Sequence, residues 1–216
     1  MNLSCTEPLP TAASIDRLAP GLWSWSAYSP HHKVELRSHA WIEQGLISLF
    51  DPIPLAPGLL PSFLGEGQGC QIFLTNANHP RDTVGWLRSA ENHFHTIPKV
   101  HCPDLSPALI DTRVKRGSWT CISLPGGAQF ETAYLHPRQG ILVVGDALVN
   151  LPPRGLEILP AKYCVDQVQL QHSLQQLLDL DLQRVLFAHG NQLTGAELNQ
   201  LYSLIKSLPS TQQRRP

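Results

Sequence analysis

The stretch Leu74–Asp82, LTNANHPRD, closes one segment and opens another. Before it, CQIFLTN (Cys70 to Asn76) reads as a strand central in a sheet, because two buried faces remove the polar alternation of an exposed strand. After it, Val84, Leu87 and Ala90 recur at helical spacing over about Pro80 to Asn92, and Pro80 suits a first helical turn because its missing N–H needs no partner there. A helix starting at that point places His79 and Asp82 at its N-terminal mouth. A strand feeding a helix through such a polar turn is where layered α/β folds present side chains to a ligand.

Working outward, GLWSWSAYS (Gly21 to Ser29) alternates Leu22, Ser24 and Ser26 with Trp23, Trp25 and Ala27, a strand period of two. KVELRSHAWIE (Lys33 to Glu43) and GLISLFD (Gly45 to Asp51) are further strands. The Pro and Gly density from Pro52 to Gly69 predicts a crossing loop with at most a short helix. His95 to Pro103 reads as a short strand, Thr112 to Leu124 as one or two, and Glu131 to Val149 as a hairpin turning at His136 to Gly140. A helix of about fifteen residues follows from Asp166 to Asp179 with Leu170, Leu174, Leu177 and Leu178 on one face. Arg184 to Gly190 is a buried strand ending in a turn. Thr194 with Glu197 three positions on forms a capping box for a last helix striped by Leu198, Leu201, Ile205 and Leu208. Residues 1–20 lack periodicity and are expected to drape flexibly over the surface, residues 21–208 to form a single domain, and 209–216 to be a disordered tail.

The chain has 216 residues, 42% hydrophobic and 15% charged, enough to bury a sizeable core. A formal net charge of -1 gives no electrostatic footprint for nucleic acid or an anionic membrane. The five cysteines, Cys5, Cys70, Cys102, Cys121 and Cys164, form no C-x-x-C pair, which argues against a disulfide framework and a thiolate zinc site. The expectation is a soluble, cytoplasmic protein with reduced thiols, no membrane span and a small-molecule substrate.

Three polar groups stand at strand ends: NHPRD at 78–82, GDAL at 145–148 and AHGN at 188–191, with LPGGAQFE (Leu124 to Glu131) between the first two. Their order resembles the metallo-β-lactamase fold of glyoxalase II-like hydrolases over residues 21–208. In that family a Thr-His-x-His-x-Asp-His stretch is followed by a Pro-Gly-His, a Gly-Asp and a late Gly-His-Gly. Thr75 matches, but Asn76 and Asn78 replace the first two histidines, Pro80 and Arg81 replace Asp and His, and Gly127 replaces the next histidine. Asp146 matches the metal-bridging aspartate and His189 the last histidine. Five missing ligands exclude the ordinary two-metal site, since a metal ion needs enough N or O donors to offset its lost hydration. The chain looks like a divergent branch with a degenerate motif, in which Thr75, Asn76, His79, Arg81, Asp82, Glu131, Asp146, Ala147, Leu148, Lys162, His189 and Gly190 recur together. The resemblance implies an α/β fold, a four-layer αββα sandwich of two mixed sheets with helices outside.

Two functional expectations follow. In the first, His79, Asp82, Asp146 and His189 hold one Zn²⁺, Mn²⁺ or Fe²⁺ and an ion-activated water attacks an ester, thioester or lactone, with Arg81 or Lys162 stabilising the oxyanion and Glu131 as base or ligand. In the second, no metal binds: Arg81 supplies the positive charge within a buried ion-pair network and the fold serves as a binding or scaffold protein. Each residue also has a plainer explanation. Asp82 suits a first helical turn, His79 a cap, Asp146 a turn aspartate, His189 a half-buried histidine, and Glu131 a strand start. The loops at Pro52 to Gly69 and Leu151 to Ala161 suit substrate closure or a homodimer contact equally.

Overall fold

The computed structural model describes residues 8–102 and 113–209, with the side chains of 113–116 left aside. These residues fall into two compact units, 8–74 with 78–102 and 75–77 with 113–209. Most of the expected tail lies outside the described residues.

The first unit is a six-stranded sheet ordered β1 (Asp16–Ala19), β2 (Leu22–Ser29), β3 (Val34–Glu43), β4 (Leu46–Phe50), β5 (Gly69–Phe73) and β6 (Lys99–His101). Pairing is antiparallel from β1 to β4 and parallel from β4 to β6, a mixed sheet. α1 (Leu60–Leu64) and α2 (Thr83–Phe94) connect the parallel strands. Alternate residues Trp25, Ile47, Leu49 and Ile72 join Phe63, Leu64, Trp86 and Ala90 in one apolar cluster, so the helices cover one face of the sheet. On the opposite face Phe50, Phe73 and His101 stack across β4, β5 and β6 at centroid separations of 5.1 and 4.4 Å.

Order begins earlier than periodicity indicated. Ala12 is fully buried, donates its N–H to Pro54 and accepts from Ala56, and β1 pairs with β2. A short edge strand whose Asp16 and Arg17 are exposed carries no apolar alternation to read. α2 starts three residues later than expected, because Arg81 takes φ +41° and Asp82 becomes the N-cap. The Pro80 carbonyl instead accepts from the Thr83 N–H and hydroxyl, so Pro80 belongs to a turn before the helix.

In the second unit the sheet runs in the order β14 (Leu193–Thr194), β13 (Arg184–Phe187), β10 (Ile141–Val144), β9 (Thr132–His136), β8 (Trp119–Ser123) and β7 (Arg113–Arg116). β10 and β13 are parallel and the other pairs antiparallel. The hairpin β11 (Leu148–Leu151) and β12 (Gly155–Ile158) stands where a loop was expected. α3 (Gln167–Leu174) is capped by Asp166 through the Gln169 N–H and passes into a 3-10 segment, Gln175–Asp179, so the expected fifteen-residue helix is two. The Thr194 and Glu197 capping box is present, followed by a 3-10 turn and α4 (Leu198–Ser207). Ala133, Leu135, Leu142, Val144, Val185 and Phe187 form one apolar face with Leu170, Leu174, Leu177, Leu201 and Ile205 of the helical segments. Two mixed sheets, each with helices against one face, make the expected α/β class. Among the described residues no helix is long and apolar enough to cross a membrane.

Candidate functional site

The second unit gathers four of the polar residues singled out above. Thr75–Ala77 is tied to the turn before β9 by bonds from the Thr132 N–H to the Thr75 carbonyl (2.8 Å) and from the Ala77 N–H to the Gln129 carbonyl (2.9 Å). This places the fully buried Asn76 beside Glu131, which is 1% exposed. The Asn76 amide nitrogen donates to Glu131 Oε2 at 3.0 Å and to Asp146 Oδ2 at 3.1 Å. Glu131 Oε1 accepts the Ala147 N–H at 3.0 Å, so backbone and amide hold both its oxygens. Asn76 thus joins two carboxylates that would otherwise repel at close range.

Glycine is required at Gly145 by space: a Cβ there would lie 2.5 Å from Thr75 Oγ1 and 2.6 Å from Glu131 Oε1. The Gly-Asp pair therefore lets the Glu131 carboxylate approach the end of β10 while Asp146 turns into the network. His189 follows β13, and its carbonyl accepts the Asn150 N–H of β11 at 3.1 Å. At Gly190, φ is +98° and a Cβ would meet the Asn150 carbonyl oxygen at 1.9 Å, which fixes glycine after the histidine. So held, His189 Nε2 lies 3.2 Å from Asp146 Oδ1, with side chains 12% and 15% exposed. Metal–donor bonds of about 2.0–2.1 Å place neighbouring ligand atoms about 2.9–3.4 Å apart in tetrahedral or octahedral geometry. The Asp146–His189 pair fits that edge, and one hard and one borderline donor suit Zn²⁺, Mn²⁺ or Fe²⁺.

Lys162 lies in an exposed 3-10 turn, Ala161–Tyr163, with Nζ 4.5 Å from the Tyr163 ring centroid, a cation–π contact. The segment after it is bonded to the loop that leads to Glu131, through Val165 and Asp166 N–H to the carbonyls of Gly127 and Gly126. Cys164 registers the proximity: burial, then the Glu131 charge and then the Asp166 charge hold its thiol pKa above the ordinary value. Gly127 faces the Glu131 side chain, whose Cγ a Cβ would meet at 2.9 Å.

The first unit holds His79, Arg81 and Asp82 around the turn after β4. His79 Nδ1 bonds Asp51 Oδ2 at 2.9 Å, both side chains being buried. Arg81, 4% exposed, donates Nη1 to the carbonyls of Arg37 (2.6 Å) and Asp51 (2.9 Å). Asp82 sits at the N-cap of α2 facing Gly85 without closing a well-formed side-chain cap bond. Burial raises its pKa above the ordinary 3.8, and the Gly85 N–H offsets part of that. Its N–H donates to the Pro52 carbonyl at 3.0 Å.

Asp51 was read only as the last residue of a strand. A carboxylate ending the apolar run LISLF just before a proline is the one signal that could have marked it.

No protein-family description matches the chain, and neither does any curated protein. Solved structures do. The DIM-1 metallo-β-lactamase exposed to ceftazidime aligns with TM-score 0.65 and 16% identity over 93% of this chain and 99% of that one. A metallo-β-lactamase from Hirschia baltica aligns at 0.62 and 11% identity over 90% and 98%, and one from Pontibacter korlensis at 0.56 and 14% over 90% and 99%. Identity this low speaks to the fold alone.

Proposed function

We propose, from the premise that this chain has the metallo-β-lactamase fold, that it is a metal-dependent hydrolase with a reduced, mononuclear site acting on an ester, thioester or lactone. The observation that carries this reading is the Asp146–His189 donor pair at ligand-edge distance, positioned by backbone bonds on both sides. His79, bonded through Nδ1 to Asp51 Oδ2, belongs to the first unit and is not counted among these donors. Asp82, turned toward Gly85 at the helix start, is assigned to α2 rather than to the ion. A bound divalent ion supplies Lewis acidity and lowers the pKa of a water into the neutral range. The residues of the chain supply the rest. Glu131 and Asn76 fix the Asp146 carboxylate, and the Lys162 ammonium is the proposed partner for the oxyanion developing on the carbonyl.

A second reading has its own support. Asn76 already satisfies one oxygen each of Glu131 and Asp146, and Arg81 is a buried cation, as expected of a metal-free pseudoenzyme serving as a binding or scaffold protein. Hydrolysis of an aryl ester, an acyl thioester and a lactone by the purified protein separates the two. Turnover of any of the three that chelation abolishes and added divalent metal restores supports the hydrolase. Protein with stoichiometric metal and no turnover of any substrate removes the hydrolytic assignment, and turnover indifferent to chelation removes its metal dependence.

A further inference from the structure

We propose that Tyr163, Val165 and Val168 form a docking strip for an apolar acyl chain, so that the site takes esters or thioesters of extended apolar acids rather than of acetate-sized or polar ones; this rests on the metal-dependent reading above. Among the described residues six large apolar side chains are exposed, and three of them fall in this one stretch: Tyr163 is 61% exposed, Val165 71% and Val168 58%. Single exposed apolar residues are ordinary, whereas a cluster left facing water marks a surface that binds something. Leu170 and Leu174 of α3 are fully buried, so the outward valines are no part of the stripe that packs that helix on the core.

The strip lies beside the carboxylate network because the segment that carries it is bonded to that network's backbone at both ends. At one end the Leu159 N–H donates to the carbonyl of Ala147, the residue after Asp146, at 3.1 Å. At the other, the Val165 N–H donates to the Gly127 carbonyl at 2.9 Å and the Asp166 N–H to the Gly126 carbonyl at 3.0 Å, on the loop that leads to Glu131. Between these anchors Cys164 Sγ donates to the Leu159 carbonyl at 3.3 Å and closes the segment into a turn. A Cβ at Gly126 would meet the Leu170 nitrogen at 2.2 Å, so the loop and the start of α3 are in close contact. The strip is therefore preformed, and a chain laid on it need not order the protein first. Lys162 Nζ, the proposed partner of the oxyanion, stands 4.5 Å from the Tyr163 ring centroid, which gives the carbonyl and the chain of one substrate adjacent partners. Three side chains fall far short of the roughly 20–30 residues and about 800 Å² that each partner of a stable dimer buries, so a run of methylenes suits the area better than a second copy.

The test has two readouts, one of which does not need turnover. Phenyl esters of acetic, butyric, hexanoic and octanoic acid are given to the metal-loaded full-length protein. Their kcat/KM should rise by about twofold per methylene, half the free-energy gain of full burial because the strip covers one side of the chain. The rise should lie in KM rather than kcat, since a remote chain is held equally before and during reaction, and it should flatten in a Val165→Ser/Val168→Ser double variant. A flat profile, or a slope that survives in the double variant, overturns the strip while the hydrolase reading stands on chelation-sensitive turnover. Independently, in metal-stripped protein with ¹³C-labelled valine methyls, sodium hexanoate should shift the Val165 and Val168 resonances saturably and sodium acetate should not. Resonances that stay in place, or that move equally with acetate, overturn the strip whatever the turnover; saturable shifts in a protein that hydrolyses nothing keep the strip and remove the hydrolase.

Discussion

The corner around Asp51 in the first unit and the Asn76–Glu131–Asp146–His189 network in the second are both buried and polar, but they are satisfied in opposite ways. Around Asp51 the bonds run mostly to backbone: the Arg81 guanidinium, the Ser38 hydroxyl and two indole N–H groups all end on carbonyls. In the second unit side chain meets side chain, one amide serving two carboxylates and an imidazole facing one of them. Bonds that end on carbonyls hold the shape of a corner whatever the charge of a bound ligand. In a network of carboxylates joined by one amide the neutral donor offsets only part of their mutual repulsion, and the proposed cation would offset the rest.

That contrast breaks most visibly at Asn76. Asn76→Asp keeps the shape of the side chain and replaces the shared donor with a third carboxylate, an uncompensated buried charge. The expected loss of stability is about 3–5 kcal/mol in urea unfolding, and added divalent metal should recover part of it. A variant as stable as the wild type would mean that the carboxylates are not held by the amide. Arg81→Ala comes next. It leaves the Arg37 carbonyl without this donor and removes one of two from the Asp51 carbonyl, for an expected cost of about 2–3 kcal/mol by the same measurement. Metal should not rescue it, and a variant that melts like the wild type would show that Arg81 does not hold the corner.

The smallest expected effect is at Asp82. Burial raises its folded-state pKa, so as pH rises from the ordinary 3.8 the unfolded chain ionises first and stability falls, the deficit being complete above the folded pKa. Asp82→Asn retains an N-cap residue of equal quality and lacks this slope. In metal-stripped protein the variant should gain on the wild type in urea midpoint between pH 4 and pH 7. No change in the difference between the two proteins across that interval would contradict the assigned burial.

Much of this organisation is legible in the sequence because it follows period and punctuation. Strands β2 to β5, the β9–β10 hairpin, β13 and the Thr194 capping box stand where alternation, glycines and caps put them. The likeness of NHPRD, GDAL and AHGN to a known family likewise gives the fold, which solved structures share. What escaped has physical reasons. β1 is a short exposed edge strand, and the β11–β12 hairpin hides in a Pro-rich span, neither with an apolar period. The start of α2 is set by the left-handed backbone of Arg81, to which hydrophobic spacing is blind. Asp51 and the double role of Asn76 depend on contacts across 28 to 70 positions of chain, which no local window reports.

The central claim is that Asp146 and His189 are metal donors, and metal analysis of protein purified without chelator tests it most directly. The account predicts about one divalent ion per chain in the wild type, lost in folded Asp146→Ala and in folded His189→Ala. A wild type that is metal-free and cannot be loaded with Zn²⁺, Mn²⁺ or Fe²⁺ would contradict it.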